Sequence, residues 1–258
     1  MAQSTKSGGI KTTKTVFDIL ETLTEEERMT ITEITERVDV SKGTVHAHLQ
    51  TLKERGYLVQ TDDKAYRLGI RFLALGGHAQ STTYKRLYRS AKPELDRLAE
   101  DTGERVQVMV EEAGYGIYLY QALGSESVMT DSHIGMRIVL HATAAGKAYL
   151  AHLPREEVNA IVDTVGLAGY TDSTITDREA LFETLADVRD RGVAYDEGER
   201  VSGIRCIGVP IQGDDGVVLG ALSVSVPRQR MERPGFQSEM EERLQDIARV
   251  IGLNTTYA

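Results

Sequence analysis

Apolar residues recur at helical spacing three times in succession near the start of the chain. "KTVFDILETL" sets Val16, Ile19, Leu20 and Leu23 on one side of a helix. "TITEITERVDV" does the same with Ile31, Ile34 and Val38, and Thr30 or Thr32 is placed to cap it. "SKGTVHAHLQTLKERGYL" offers Val45, Leu49 and Leu52 between an N-capping Ser41 and a stop at Gly56. Only "DVS" separates the second pattern from the third, so the pair predicts a helix-turn-helix. "GYLVQTDDKAYRLG" follows, with two short strand candidates about the polar turn "DDK". Three helices and a hairpin predict a winged helix.

The next stretch reads as a helical tether. A short helix is expected from Tyr66 through Leu68, Phe72, Leu73 and Leu75, loosened at Gly76-Gly77. A second aligns Leu87, Ala91, Leu95 and Leu98 and stops at Gly103; Pro93 either bends it or starts a new helix. From Val106 the period shortens. "RVQVMVEE" and "GIYLYQAL" flank the turn "AGYG", and "GIRCIGVPIQ" and "VVLGALSVSVP" flank "GDDG". Helical patterns lie between the two hairpins and after them. Strand pairs at both ends with helices between predict an antiparallel sheet covered by helices, an α+β domain. The boundaries expected are 1–68 for the winged helix, 69–85 for the linker and 86–258 for the α+β domain.

Composition narrows the setting. No apolar run reaches the length of a membrane span, and "MAQSTKSGG" lacks the apolar stretch of a secretory signal, so a cytoplasmic protein is expected. A single cysteine, Cys206, excludes an internal disulfide. Of the formal charge of -9, residues 1–67 contribute 10 Lys+Arg against 11 Asp+Glu, and the remainder 20 against 28. Lysine stops at Lys147 and tryptophan is absent, which resembles the acidic, lysine-poor surface of proteins from extreme halophiles. An ordinary acidic surface is the alternative.

His46 and His48 raise the question of metal binding. Two places apart on a helix, they diverge by roughly 200° and cannot share an ion. They flank the apolar stripe instead, and His48 reads as a packing residue at its edge. The second helix of a helix-turn-helix lies in the major groove with its N-terminal residues at base edges. Ser41, Lys42, Gly43, Thr44, His46 and Ala47 therefore become the DNA-facing set, with Lys64 and Arg67 of the wing reaching backbone or minor groove. A protein-binding winged helix is the alternative, because a nearly neutral domain is a weak DNA ligand.

In the second domain "TAAGK" precedes a helix. Either Ala144, Ala145 and Gly146 offer backbone N–H groups to an anion, or the small residues serve tight helix–sheet packing. It is not a phosphate-binding Walker loop, since Ala148 follows Lys147. Ser223 and Ser225, two apart on a strand, face one side, toward either a polar partner or solvent. Cys206 reads as buried packing.

These segments resemble the isocitrate lyase regulator (IclR) family. "TVHAHLQTLKERGYL", "LHATAAGKAYLA", "RGVAYDEGERVSGIRCIGVPI" and "LGALSVSVP" match its motifs in order over nearly the whole chain. Ala47 stands where the family often carries arginine. Gly198 stands where a further acidic residue is usual, and Val226 where a smaller residue is common. The resemblance implies a GAF/PAS-like effector-binding domain joined to the winged helix. It implies an effector pocket lined by Ala144, Ala145, Asp196, Cys206, Ser223 and Ser225, with Ile138 and Ile204 as apolar wall. A small carboxylic acid is the implied effector, and double-stranded DNA with an inverted-repeat operator the implied partner. A homodimer or dimer of dimers, no cofactor and no enzymatic activity complete the expectation. Three other readings stand beside it: a Cys206–His141 nucleophile, a metal sensor using His133, His141, His152 and Cys206, and a DNA-binding scaffold without ligand.

Overall fold

A computed structural model describes residues 9–82 and 84–257. The sequence reading of the extreme N-terminus falls on residues 1–8 and lies outside the described residues. The chain forms two compact units, Met1–Ala79 and Gln80–Ala258.

The first unit is the expected winged helix. Helices α1 (Lys11–Thr22), α2 (Ile31–Arg37) and α3 (Lys42–Glu54) precede strands β1 (Leu58–Gln60) and β2 (Tyr66–Leu68). Ile19, Ile34, Val45, Leu49 and Leu58 are wholly or almost wholly buried together, so the three apolar stripes meet as their spacing requires. Thr30 and Glu33 form a reciprocal capping box at α2, and Ser41 caps α3 through the N–H of Thr44. Met29 exchanges two backbone hydrogen bonds with Tyr66 and extends the wing by one bridge.

The tether differs from expectation. Leu68 is not helical; it pairs with Leu58 in the wing. A Cβ on Gly69 would lie 2.7 Å from the Gly56 carbonyl oxygen, so the chain leaves the wing at a position where only glycine fits without a shift. Helix α4 (Phe72–Thr82) begins later and runs unbroken through Gly76 and Gly77, since glycine lowers helix propensity by only about 1 kcal/mol. Helix α5 (Lys85–Thr102) likewise accommodates Pro93 without ending.

The second unit is built on a six-stranded antiparallel sheet. Its strands are β3 (Arg105–Glu112), β4 (Tyr115–Leu123), β5 (Arg137–Val139), β6 (Ala194–Asp196), β7 (Ile204–Gln212) and β8 (Val218–Pro227), in the order β5-β4-β3-β8-β7-β6. The two edge strands, β5 and β6, have three residues each, too few to show a strand pattern in the sequence. Ala113 and Gly114, both left-handed, make the β3–β4 turn. Helix α10 (Phe236–Tyr257), following the short α9 (Arg228–Met231), covers one face with α5, burying Val106, Val108, Ile207, Leu222 and Val224. Helices α6 (Ala144–Leu150), α7 (Arg155–Val165) and α8 (Arg178–Arg191) form the cluster on the other face. Because both faces are covered, alternate positions on the second face are buried too, and Arg105, Gln107, Ser223 and Ser225 make part of that face polar.

Candidate functional site

On the first unit, α3 buries Val45, Leu49 and Leu52 and leaves Ser41, Lys42, Gly43, Thr44, His46 and Ala47 exposed together. His48 is half-buried, as its place beside the stripe predicts. The Lys42 ammonium donates to Thr32 Oγ1 at 3.1 Å, which holds a positive charge at the adjoining N-terminal turns of α2 and α3. Lys64 sits at the wing tip with φ 64, and Arg67 points outward opposite Val59. The structure thus presents all eight residues on exposed positions of α3, its N-cap and the wing.

On the second unit, strand register assembles a polar floor. Arg105, Ser225, Cys206 and Asp196 are cross-strand neighbours in one row over β3, β8, β7 and β6. Gln107, Ser223, Gly208 and Ala194 form the next row. Gly208 lets α6 descend onto this floor, for a Cβ there would lie 2.4 Å from the Ala144 carbonyl carbon. The start of α6 and the floor enclose a cavity of about 30 Å³. Ala144, Ala145, Asp196, Ile204, Cys206, Ser223 and Ser225 line it together, with Tyr118, Thr130, Ser132, Thr143, Arg200 and Val201, which sequence reasoning did not single out.

Two expected residues do not reach it. The Gly146 N–H is not free: the Thr143 hydroxyl, as N-cap, accepts it at 3.1 Å. Gly146 instead permits packing, since a Cβ would lie 2.1 Å from the Leu140 carbonyl oxygen. Of the two readings of "TAAGK", packing holds for Gly146, whereas Ala144 and Ala145 form cavity wall. Ile138 on β5 is buried with Met109, Tyr118 and Leu140, behind the wall rather than in it.

Charge around the cavity is tightly arranged. Asp196 Oδ1 accepts the N–H groups of Gly198 at 2.9 Å and Glu199 at 2.6 Å, closing a turn in which Gly198 has φ +87. Glycine suits that conformation, which accounts for its presence where the resemblance leads one to expect an acid. Burial outweighs those hydrogen bonds and pushes the Asp196 carboxyl up to about 6. Lys147 pairs with Glu199, both deeply buried, so the lysine of "AAGK" braces the turn. Cys206 Sγ lies 3.2 Å from Ser225 Oγ, and burial pushes its thiol up to about 12, the reverse of an activated nucleophile. Among the described residues no three His, Cys, Asp or Glu side chains gather as metal ligands.

Asp196→Asn keeps the acceptor for both N–H groups and removes a carboxylate that folding disfavours. Because the folded-state pKa is raised, the wild-type carboxyl favours folding at low pH and loses that advantage as pH rises through about 6. The variant should therefore be more stable at pH 8 by roughly 2–3 kcal/mol, with the gain vanishing below pH 4. Paired urea melts at the two pH values check this.

A winged helix with an exposed reading helix, in one chain with an α+β unit enclosing a polar cavity, defines a DNA-binding transcriptional regulator. Comparison with known proteins agrees and is more specific. Residues 15–62 match the IclR helix-turn-helix domain, and residues 79–253 match the bacterial transcriptional regulator IclR C-terminal domain. The probable HTH-type transcriptional regulator ArcR of Halobacterium salinarum is 35% identical over 237 residues, 91% of this chain and 89% of that protein. The HTH-type transcriptional regulator KdgR of Escherichia coli is 35% identical over 237 residues, 92% of this chain and 86% of that one. A crystal structure of an IclR homologue from Microbacterium hydrocarbonoxydans, complexed with 4-hydroxybenzoate, superposes with TM-score 0.80 at 25% identity, covering 96% of this chain and 100% of that one. The chain belongs to the IclR family of transcriptional regulators, a family of regulators rather than enzymes.

Proposed function

We propose that this regulator binds an inverted-repeat operator as a homodimer, or dimer of dimers, and that a small carboxylic acid in the cavity of the second unit controls that binding. The observation carrying this reading is the convergence of Ser223, Ser225, Thr143 and Arg200 with the first turn of α6 on one enclosed space. Hydroxyls, backbone N–H groups and a guanidinium together form a donor set for a carboxylate. Ile204 and Val201 supply apolar wall, and Asp196 meets a hydroxyl of the ligand. The Microbacterium homologue's 4-hydroxybenzoate is a hydroxylated carboxylic acid of this kind. About 30 Å³ holds a water molecule or two, so the wall must widen to admit such an acid. A thermal-shift screen of keto, sugar and aromatic acids tests the reading: one acid must raise the melting temperature and change operator affinity.

Pairing of two copies suits an operator with two-fold symmetry. Helix α4 offers a surface for it, with Leu73 and Leu75 exposed and no buried residue among its described side chains. Light scattering at working salt should give at least a dimer. No helix among the described residues is long and apolar enough to cross a membrane, and a cytoplasmic location is part of the proposal. The lysine-poor second domain fits a high-salt interior, as does similarity to a Halobacterium protein.

Lys42→Ala should weaken binding to all DNA sequences and lower the salt slope by about one ion per chain. His46→Ala should relax base preference instead. Anisotropy titrations from 50 to 300 mM salt separate the two effects.

A further inference from the structure

The cavity wall has an unequal construction. Most of it is sheet floor and the start of α6, but Thr130 and Ser132 come from the irregular segment after β4, and Arg200 and Val201 from the turn before β7. Alternate residues of the first segment face opposite ways: Thr130 and Ser132 line the cavity, whereas the Asp131 side chain is 59% exposed. Arg200 lies between, a cavity-lining residue with only 14% of its side chain exposed, and its Nη2 meets Asp131 Oδ2 at 2.6 Å. A guanidinium at the cavity wall is therefore neutralised from the solvent side. Arg105, buried beneath, holds the same segment by donating to the Ser132 carbonyl at 3.0 Å.

This arrangement sets up a competition. An ion pair open to water is weak because solvent screens it and because ordering two side chains costs entropy. The same guanidinium facing a carboxylate inside the cavity is screened less and gains a charge-assisted hydrogen bond. The irregular segment that forms part of the wall is also the one that Asp131 ties to Arg200.

Resting on the reading that a carboxylic acid occupies the cavity, we infer that Asp131 acts as a built-in competitor for the ligand's carboxylate. It holds Arg200 and keeps segment 130–132 closed until an incoming acid takes the arginine over. Arg200 is thereby the residue that restricts the effector to anions.

The test is calorimetric titration of the full-length oligomer with 4-hydroxybenzoate, pyruvate and a hexuronate, each beside its neutral amide. Asp131→Asn should bind the preferred acid roughly threefold to fivefold more tightly than wild type, the scale of an exposed ion pair. Arg200→Gln should reduce the preference for acid over amide at least tenfold, and Arg200→Lys should restore part of it. Asp131→Asn is an exposed, nearly isosteric change, so the central comparison does not depend on a variant that fails to fold. Unchanged or weaker binding by Asp131→Asn overturns the competition and makes the ion pair a plain strut. Ser223→Ala with Ser225→Ala tells the two levels apart. If that double variant loses the acid while Asp131→Asn matches wild type, the cavity reading stands and the competitor does not. If no acid binds wild type or Asp131→Asn, both fall.

Discussion

Ser223→Ala combined with Ser225→Ala is expected to raise the acid concentration needed for a DNA response at least 100-fold, while leaving DNA affinity without effector within about twofold. Both hydroxyls stand on β8 facing the cavity, one strand away from Gly208 and Cys206. A hydrogen bond to a charged acceptor contributes roughly 1.5–3 kcal/mol, so losing two at the middle of that range exceeds 100-fold even when the effects are somewhat less than additive. The floor itself should survive. Among the described residues Ser225 Oγ pairs with the Cys206 thiol at 3.2 Å, a weak partner, and alanine fits a strand whose preceding positions on this face include Ala221. Anisotropy with labelled operator, with and without acid, measures both quantities. An unchanged acid response places the pocket elsewhere. A collapse of DNA affinity without acid makes the serines part of the scaffold.

Gly208→Ala is expected to do the most damage to the second unit. The new methyl would lie 2.4 Å from the Ala144 carbonyl carbon, 2.6 Å from its oxygen and 2.7 Å from the Ala145 nitrogen. All three are backbone atoms, so no side chain can swing aside; α6 must lift from the sheet. Overpacking of this kind costs about 1–3 kcal/mol or more, and the cavity loses its roof. The second unit should melt some 5–10 °C lower. Acid binding should fall further than stability alone accounts for. Gly76→Ala is the control, with nothing within 4 Å of the added methyl and an expected gain of up to about 1 kcal/mol in α4. Differential scanning calorimetry of the two variants separates steric exclusion from a general intolerance of glycine substitution. Equal stability of Gly208→Ala and wild type would show that α6 docks less closely than described.

Legibility in the sequence followed how local each signal is. The winged helix was readable because its stripes, caps and turn residues lie within a few positions of one another. Ser223 and Ser225 were readable because a strand alternates faces. Arg105 and Gln107 obey the same alternation in "RVQVMV" and are buried in the rows that continue Ser225 and Ser223 onto β3, although neither lines the cavity itself. Tyr118 was not readable. A register shift opposite Val108 and Met109 pairs Met109 with Tyr118 and Val108 with Tyr120, and this sends the two tyrosines to opposite faces. Regular alternation would have kept them together. Thr130, Ser132 and Arg200 lie in segments without periodicity, positioned by ion pairs and turns formed only on folding. The place of Gly146 depends on Thr143, three residues earlier, a recognisable N-cap that accepts its N–H. Ile138 came from resemblance rather than from its own surroundings, and the three-residue strand that carries it has too few positions to reveal a face.

The central claim is that an acid in this cavity controls a DNA reader in the same chain. A genome-wide map of bound sites supplies the operator, and the decisive measurement is then operator affinity of the purified full-length protein across the acid panel. One acid should change that affinity at least tenfold, at a concentration that saturates one site per chain, and its neutral amide should not. An operator bound with equal affinity in the presence of every acid, including any that calorimetry shows to be bound, would contradict it.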